Sequence, residues 1–287
     1  MIILDGKKIS DSYLELVKRD VSLMQSIKAK LCIIQVGCNE ASNVYVRNKV
    51  RACNYVGIEV AVFKENDNVS ESILIKLIHA LNEREDVTGI LVQLPLPKGI
   101  NVNKVLDEIN PLKDVDGFHP INIGSLVQNR ETKCLYPCTP LGIMEILKGY
   151  HIEVDGKNCV VVGRSNIVGK PISMMLLNAN GTVTTCHSHT KNLKDICKKA
   201  DILICAIGSP KFFNHEYVKK DAVVIDVGIH RMENGKLCGD VDFDDVKDIV
   251  SAITPVPKGV GAMTVAMLIH NCVVSATELR GVNKYEC

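Results

Sequence analysis

Residues 160–171 read VVVGRSNIVGKP. Three valines run into Gly163, and Gly169 follows six residues later, ahead of a segment with helical character. A buried strand that ends in glycine and hands over to a helix is how a dinucleotide turn is built, with the helix N-terminus receiving the pyrophosphate. The usual spacing is G-x-G-x-x-G, and here Ser165 stands at the middle glycine. Taken alone, the loop fits a plain structural turn as well as a phosphate site. The next strand adds information. In NAD sites an acid about 20 residues past the glycines accepts from the ribose 2′-hydroxyl. Here that strand ends in CHSHT (186–190), without an acid. Arg164 and Ser188 leave a place for a 2′-phosphate, because a guanidinium is permanently charged and offers several donors. Separately they read as a solvated charge and a loop hydroxyl; together they favour NADP over NAD.

Outward from that turn the pattern continues. CVVV, TVTTC, DILICAI and AVVIDVG read as strands, separated by helices from about residue 170 and over 191–199. Upstream, residues 11–29 carry Leu14, Val17, Val21, Met24 and Ile27 at helical spacing, and LCIIQV follows as a buried strand. ASNVYVRNKVRACNYV reads as a helix, IEVAVF as a strand, and ESILIKLIHALNER as a helix with a capping-box-like start from Asn68 to Glu71. GILVQLPLP is an apolar strand that its prolines stop. Apolar strands alternating with helices imply parallel sheets covered on both faces. Residues 110–140, rich in Pro, Gly, Asn and Asp, read as an irregular crossing between domains, after which Thr139 and Pro140 start a helix. The tail from Gly259 to Gly281 reads as one long helix. The fold class is α/β, with two α/β domains around a cleft and the second of them Rossmann-like.

The totals exclude several functions. Of 287 residues, 46% are hydrophobic and 23% charged, with a net charge of +1, so there is no basic footprint for nucleic acid or a membrane surface. Neither a spanning segment of about 18 apolar residues nor a secretory signal is read, and a cytoplasmic setting is expected. The twelve cysteines are scattered without a C-x-x-C pair; they read as reduced structural thiols, and no metal site is expected.

The first domain offers polar candidates. Tyr45 and Lys49 are four apart and share a helix face. Their bland reading is packing plus a solvated tip. Gln93 falls at the carboxyl end of a strand, where open α/β sheets hold ligands, although a strand-end cap reads the same way. DVDG (114–117) sets two carboxylates in a turn, which turn chemistry alone would explain.

YVRNK, GILVQLPLP, PLKDVDGFHPINIGSL, PCTPLGIMEIL, VVVGRSNIVGKP, TVTTCHSHT, AVVIDVGI and TPVPKGVGAMTVAML occur in one order along nearly the whole chain. In that order they resemble the methylenetetrahydrofolate dehydrogenase/methenyltetrahydrofolate cyclohydrolase family. The resemblance implies a folate domain over 1–138, completed by a C-terminal helix over 259–287, and an NADP domain over 139–258. It places the essential lysine on Lys49, a stacking tyrosine on Tyr45, the supporting glutamine on Gln93 and the pterin-binding aspartate on Asp116. Val92, Leu94, Pro257, Gly261, Met263 and Thr264 would line the substrate. Gly163, Arg164, Ser165, Ile167, His187, Ser188 and Ile229 would line NADP. The family's TPVPGGVGPMT loop has Lys258 for a glycine and Ala262 for a proline here. The implied reactions are oxidation of 5,10-methylenetetrahydrofolate and hydrolysis of the methenyl product to 10-formyltetrahydrofolate, in a homodimer. The residues by themselves also admit a dehydrogenase with little hydrolase activity, or a non-catalytic NADP-binding sensor.

Overall fold

The periodicities read from the sequence become real elements in a computed structural model, which describes residues 1–23, 28–130 and 134–279. The chain opens with β1 (Ile2–Ile3) and α1 (Gly6–Leu23), then alternates β2 (Lys30–Val36), α2 (Glu40–Val56), β3 (Glu59–Glu65), α3 (Glu71–Asn82) and β4 (Gly89–Val92). Next come α4 (Val102–Leu106), α5 (Pro120–Val127) and α6 (Cys138–Gly149). A second alternation holds β5 (Asn158–Val162), α7 (Gly169–Asn178), β6 (Thr182–Cys186), α8 (Leu193–Cys197), β7 (Ile202–Cys205) and β8 (Val223–Asp226). The hairpin β9 (His230–Arg231) and β10 (Leu237–Cys238), then α9 (Phe243–Val246), β11 (Ala252–Ile253) and α10 (Val260–Leu279), complete the described chain.

These elements divide into two units, one of Ser12–Cys138 with Val265–Cys287, the other of Met1–Asp11 with Thr139–Thr264. In the first, parallel strands run in the order β3-β2-β4. β2 is buried on both faces, as a central parallel strand must be. On one face Cys32, Ile34 and Val36 meet Leu74, Ile78 and Leu81, the i, i+4, i+7 stripe of α3. Each such side chain removed from water contributes roughly 1.5–3 kcal/mol.

In the second unit the strands run β1-β11-β8-β7-β5-β6, all parallel. From β5 the chain passes to β6 on one side, then to β7 on the other. Strand order therefore reverses beside β5, which makes its carboxyl end, at Gly163, the ligand-binding position of the sheet.

Several expectations shift. The first eleven residues group with the later unit because β1 pairs with β11, Ile2 opposite Ala252 and Ile3 opposite Ile253. Gly259–Thr264 also group there, so α10 divides after Thr264. The irregular crossing contains α5, started by Pro120 with His119 as cap. α3 is capped by Ser70, whose hydroxyl accepts from Ile73 N, in place of Asn68. α6 begins at Cys138, one residue ahead of the threonine expected as its cap. Contrary to the sequence reading, α10 is by length and composition apolar enough to cross a membrane, with a mean hydropathy of 1.5; 67% of that window is buried, as in a core helix. Met24, Ile27 and Gly281 lie outside the described residues.

Candidate active site

In the first unit the polar residues converge on α2 and the end of β4. Asn39 starts α2 by accepting from Ser42 N at 3.1 Å, and Gly57 closes it in the left-handed conformation at φ 88°. The i, i+4 spacing sets Tyr45 and Lys49 on one face, with Tyr45 38% exposed and Lys49 only 9%. Gln93 extends the pairing of β4, its N–H donating to Ile34 O at 2.8 Å, so its side chain leaves the sheet at a fixed point. Its Oε1 accepts from Lys49 Nζ at 3.1 Å while its Nε2 donates to Leu94 O at 2.7 Å. The second bond fixes which end of the carboxamide meets the amine. Val92 is buried and Leu94 half-buried beside it.

The two aspartates of DVDG separate in role. Asp114 builds the turn: its carboxylate accepts from Gly117 N at 3.2 Å, His119 N at 2.7 Å and Asn122 Nδ2 at 3.3 Å. Burial pushes its carboxyl up to about 6 against those bonds, with the charge of Asp116 adding to the rise. Asp116 is also pushed up by burial, opposed by the positive charge of Lys49 and a hydrogen bond from the Cys138 thiol. Asp116 thus shares a charged environment with Lys49, and the turn is held for it by other residues. Gly117, at φ 75°, has no room for a Cβ, which would fall 2.4 Å from the Tyr136 carbonyl carbon. Asn271 Nδ2 donates to Val115 O at 2.9 Å and Tyr136 O at 2.8 Å, tying α10 to the turn.

In the second unit the glycine turn is built by close backbone approach. Gly163 has φ 133°, and its N–H donates to Cys186 O at 2.9 Å, so the ends of β5 and β6 lie side by side. A Cβ on Gly163 would fall 2.2 Å from Ala206 O, and one on Gly169 would fall 2.2 Å from Gly163 O. Both glycines are therefore required by space. Ser165 turns its hydroxyl into the start of α7, accepting from Val168 N at 3.2 Å and Gly169 N at 3.3 Å. Arg164, Ser165, Ile167, Ser188 and Ile229 are exposed and His187 is half-buried. His187 N donates to Thr190 Oγ1 at 2.8 Å, which folds 187–190 into a turn beside the glycines. Backbone space, an exposed guanidinium and an adjacent strand end without an acid fit a phosphorylated dinucleotide.

The 254–264 loop belongs to this same unit. Pro257 and Gly261 are exposed and Thr264 is half-buried, its hydroxyl 3.0 Å from that of Thr139. Met263 is fully buried, and Gly142 opposes it where a Cβ would lie 2.9 Å from that of Met263.

Residues 4–116 match the catalytic domain of tetrahydrofolate dehydrogenase/cyclohydrolase, and residues 137–280 match its NAD(P)-binding domain. The chain belongs to this family. The bifunctional protein FolD of Lachnoclostridium phytofermentans is 56% identical over 97% of this chain and 99% of its own length. Among solved structures, the Campylobacter jejuni bifunctional enzyme FolD has 47% identity and a TM-score of 0.95, covering 97% of this chain and 99% of that one. The Trypanosoma brucei dehydrogenase-cyclohydrolase, solved with NADP and an inhibitor, has 34% identity and a TM-score of 0.92 over 97% of this chain and 98% of its own. The expected α/β class, enzymatic character and nicotinamide cofactor stand on these likenesses. Like them, this tetrahydrofolate dehydrogenase/cyclohydrolase is a bifunctional enzyme with a nucleotide-binding Rossmann-like domain.

Sequence reading of this family member missed the supports. Asn271 carries no local signature, and the DVDG pattern gives no sign of how Asp114 and Asp116 divide their roles. Lys113 draws no reading from the sequence, yet it is only 5% exposed and donates to Asn82 O at 2.5 Å and Arg84 O at 2.9 Å. The available signal was its place beside the DVDG turn.

Proposed function

We propose that this enzyme oxidises 5,10-methylenetetrahydrofolate with NADP and hydrolyses the methenyl product to 10-formyltetrahydrofolate, with Lys49 as the acid/base group of the hydrolysis. Hydride loss from a carbon flanked by two nitrogens leaves a resonance-stabilised cation, so the first step needs positioning and no proton abstraction. Bound NADP supplies the hydride acceptor. Arg164 and Ser188 would hold its 2′-phosphate, and the Gly163–Ser165 backbone would receive its pyrophosphate.

Hydrolysis needs proton transfer within hydrogen-bond reach. Water adds to the methenyl carbon, and Lys49 takes the proton that the water loses. The resulting ammonium returns that proton to the ring nitrogen as its bond to the one-carbon unit breaks; the carbinol hydroxyl then gives up its own proton to water as the formyl carbonyl forms, so the amine is regenerated and one proton is released overall. Gln93 directs Nζ and, being neutral, adds no charge that would trap the ammonium. Asp116 accepts paired N–H bonds from the pterin, and Tyr45 stacks on the aromatic part of the folate. Val92, Leu94 and the Pro257–Thr264 loop complete the substrate contacts.

The observation that carries this reading is the buried amine held by Gln93 in the electrostatic neighbourhood of Asp116. Lys49→Met is expected to lower cyclohydrolase turnover at least 100-fold, since general acid/base groups contribute about 10²–10⁴-fold. Its NADP affinity should stay within twofold of the parent. Normal hydrolysis of methenyltetrahydrofolate by that variant would end the lysine assignment. A homodimer in the cytoplasm is part of the same proposal; light scattering on the eluting protein should give about twice the 31.5 kDa chain mass.

A further inference from the structure

We infer that Asp240 is a positioning residue of the cofactor site, acting through the backbone of the loop that follows β7. The inference rests on reading the Gly163–Ser165 turn as the cofactor turn. Asp240 is fully buried and cannot itself touch a ligand. Its Oδ2 accepts from Ile207 N at 2.7 Å and Gly208 N at 3.0 Å; its Oδ1 accepts from Ser209 N at 2.9 Å and lies 2.8 Å from His230 Nε2. Three consecutive backbone amides and an imidazole fill roughly the four acceptor positions a carboxylate has.

The loop so gathered adjoins the glycine turn. Ala206 N donates to Val162 O at 2.8 Å, and Ala206 O is the atom that a Cβ on Gly163 would strike at 2.2 Å. Ile207 and Gly208 are exposed, and Gly208, at φ 70°, has open space around it. Those residues are therefore held from beneath, by the carboxylate, with little packing above.

A second carboxylate fixes the first. Asp226, at the end of β8, accepts from Asp240 N at 2.9 Å and Gly228 N at 3.0 Å through Oδ1, and from Val241 N at 2.9 Å through Oδ2. A Cβ on Gly228 would fall 2.3 Å from Asp240 Oδ1, and one on Gly239 would fall 1.8 Å from Asp226 Oδ2, so both glycines leave space for the carboxylates. Ile229, which follows Gly228, is 47% exposed, and Ile207 is 36% exposed. The pair of aspartates thus sets two apolar side chains on the carboxyl side of adjacent strands. A planar nicotinamide would need apolar walls of this kind to be held face-on.

The two activities of the enzyme separate a positioning role from a general structural one, because hydrolysis consumes no cofactor. In the full-length protein, Asp240→Asn keeps the shape of the side chain but turns one acceptor into a donor facing amide N–H groups. It is expected to weaken NADP binding at least tenfold by titration calorimetry and to raise KM for NADP likewise. Cyclohydrolase turnover should remain within twofold. Unchanged NADP affinity, or equal loss of both activities in a folded variant, would overturn the inference. If Asp240→Asn does not fold, Gly208→Ala moves the same loop by its left-handed backbone without touching the carboxylate; it should show the same selective loss, and unaltered NADP binding there would also overturn it. Arg164→Met is the control for the underlying reading. If it leaves NADP binding intact, the cofactor turn itself has been misplaced, whatever Asp240 does.

Discussion

Lys258 occupies a position that a glycine would fill more easily. Its φ is 81°, in the left-handed region, where an L-residue carries about 1–2 kcal/mol of strain. The loop has little freedom to relax that strain. Lys258 O accepts from Lys7 N at 2.9 Å, and a Cβ on Gly6 would fall 2.3 Å from Gly259 O. Next door, a Cβ on Gly259 would fall 2.4 Å from Pro255 O. Lys258→Gly should therefore leave stability unchanged or raise it by up to about 1 kcal/mol, once the greater freedom of glycine in the unfolded chain is counted. Gly259→Ala should cost more than about 2 kcal/mol, because the obstacle is backbone. Urea unfolding midpoints of the two variants provide the check, and a Lys258→Gly variant less stable than the parent by over about 1 kcal/mol would contradict the strain argument.

At the scale of elements, Lys113 joins the end of α3 to the DVDG turn. Its ammonium serves the carbonyls of Leu81, Asn82 and Arg84, and burial lowers its pKa. Lys113→Met would keep much of the stem packing but remove all three bonds; Leu81 O and Arg84 O keep the N–H groups of Arg84 and Val87, so the loss is about 1–3 kcal/mol. Thermal melts should register it, and KM for the folate should rise as the turn that carries Asp116 loosens. Such ties explain what the sequence concealed. β2, α2, α3 and β5 through β8 were legible because each repeats its apolar pattern over enough residues to expose a period. α5 was not, since eight residues opened by proline look like loop. β1, only two residues long, acquires meaning from a partner about 250 positions away. Lys49 and Gln93 could be placed by helix spacing and strand end. The different fates of Asp114 and Asp116, and the whole role of Asp240, depend on burial and on amides from distant segments. No local pattern encodes those.

Across the whole molecule, buried carboxylates set a pH dependence. Asp114 and Asp226 are both pushed from 3.8 to about 6, burial being the largest cause. In that window the folded chain binds more protons than the unfolded chain, so these groups favour folding below about 3.8 and oppose it progressively as pH rises through 6. A shift of this size corresponds to on the order of 2–3 kcal/mol for each group. Between pH 4 and 6.5 the unfolding free energy of Asp114→Asn should change more favourably than that of the parent by about that amount, and parallel profiles would refute the assignment. The pairing of β1 with β11 has a further effect, on synthesis. The sheet that contains the glycine turn cannot gain its outer strand pair until residue 253 has left the ribosome, and the unit begun at Ser12 waits still longer for the end of α10. Each half draws on late segments of the chain, so a chain cut short before residue 253 should be left with two incomplete halves, a ready target for quality-control proteases.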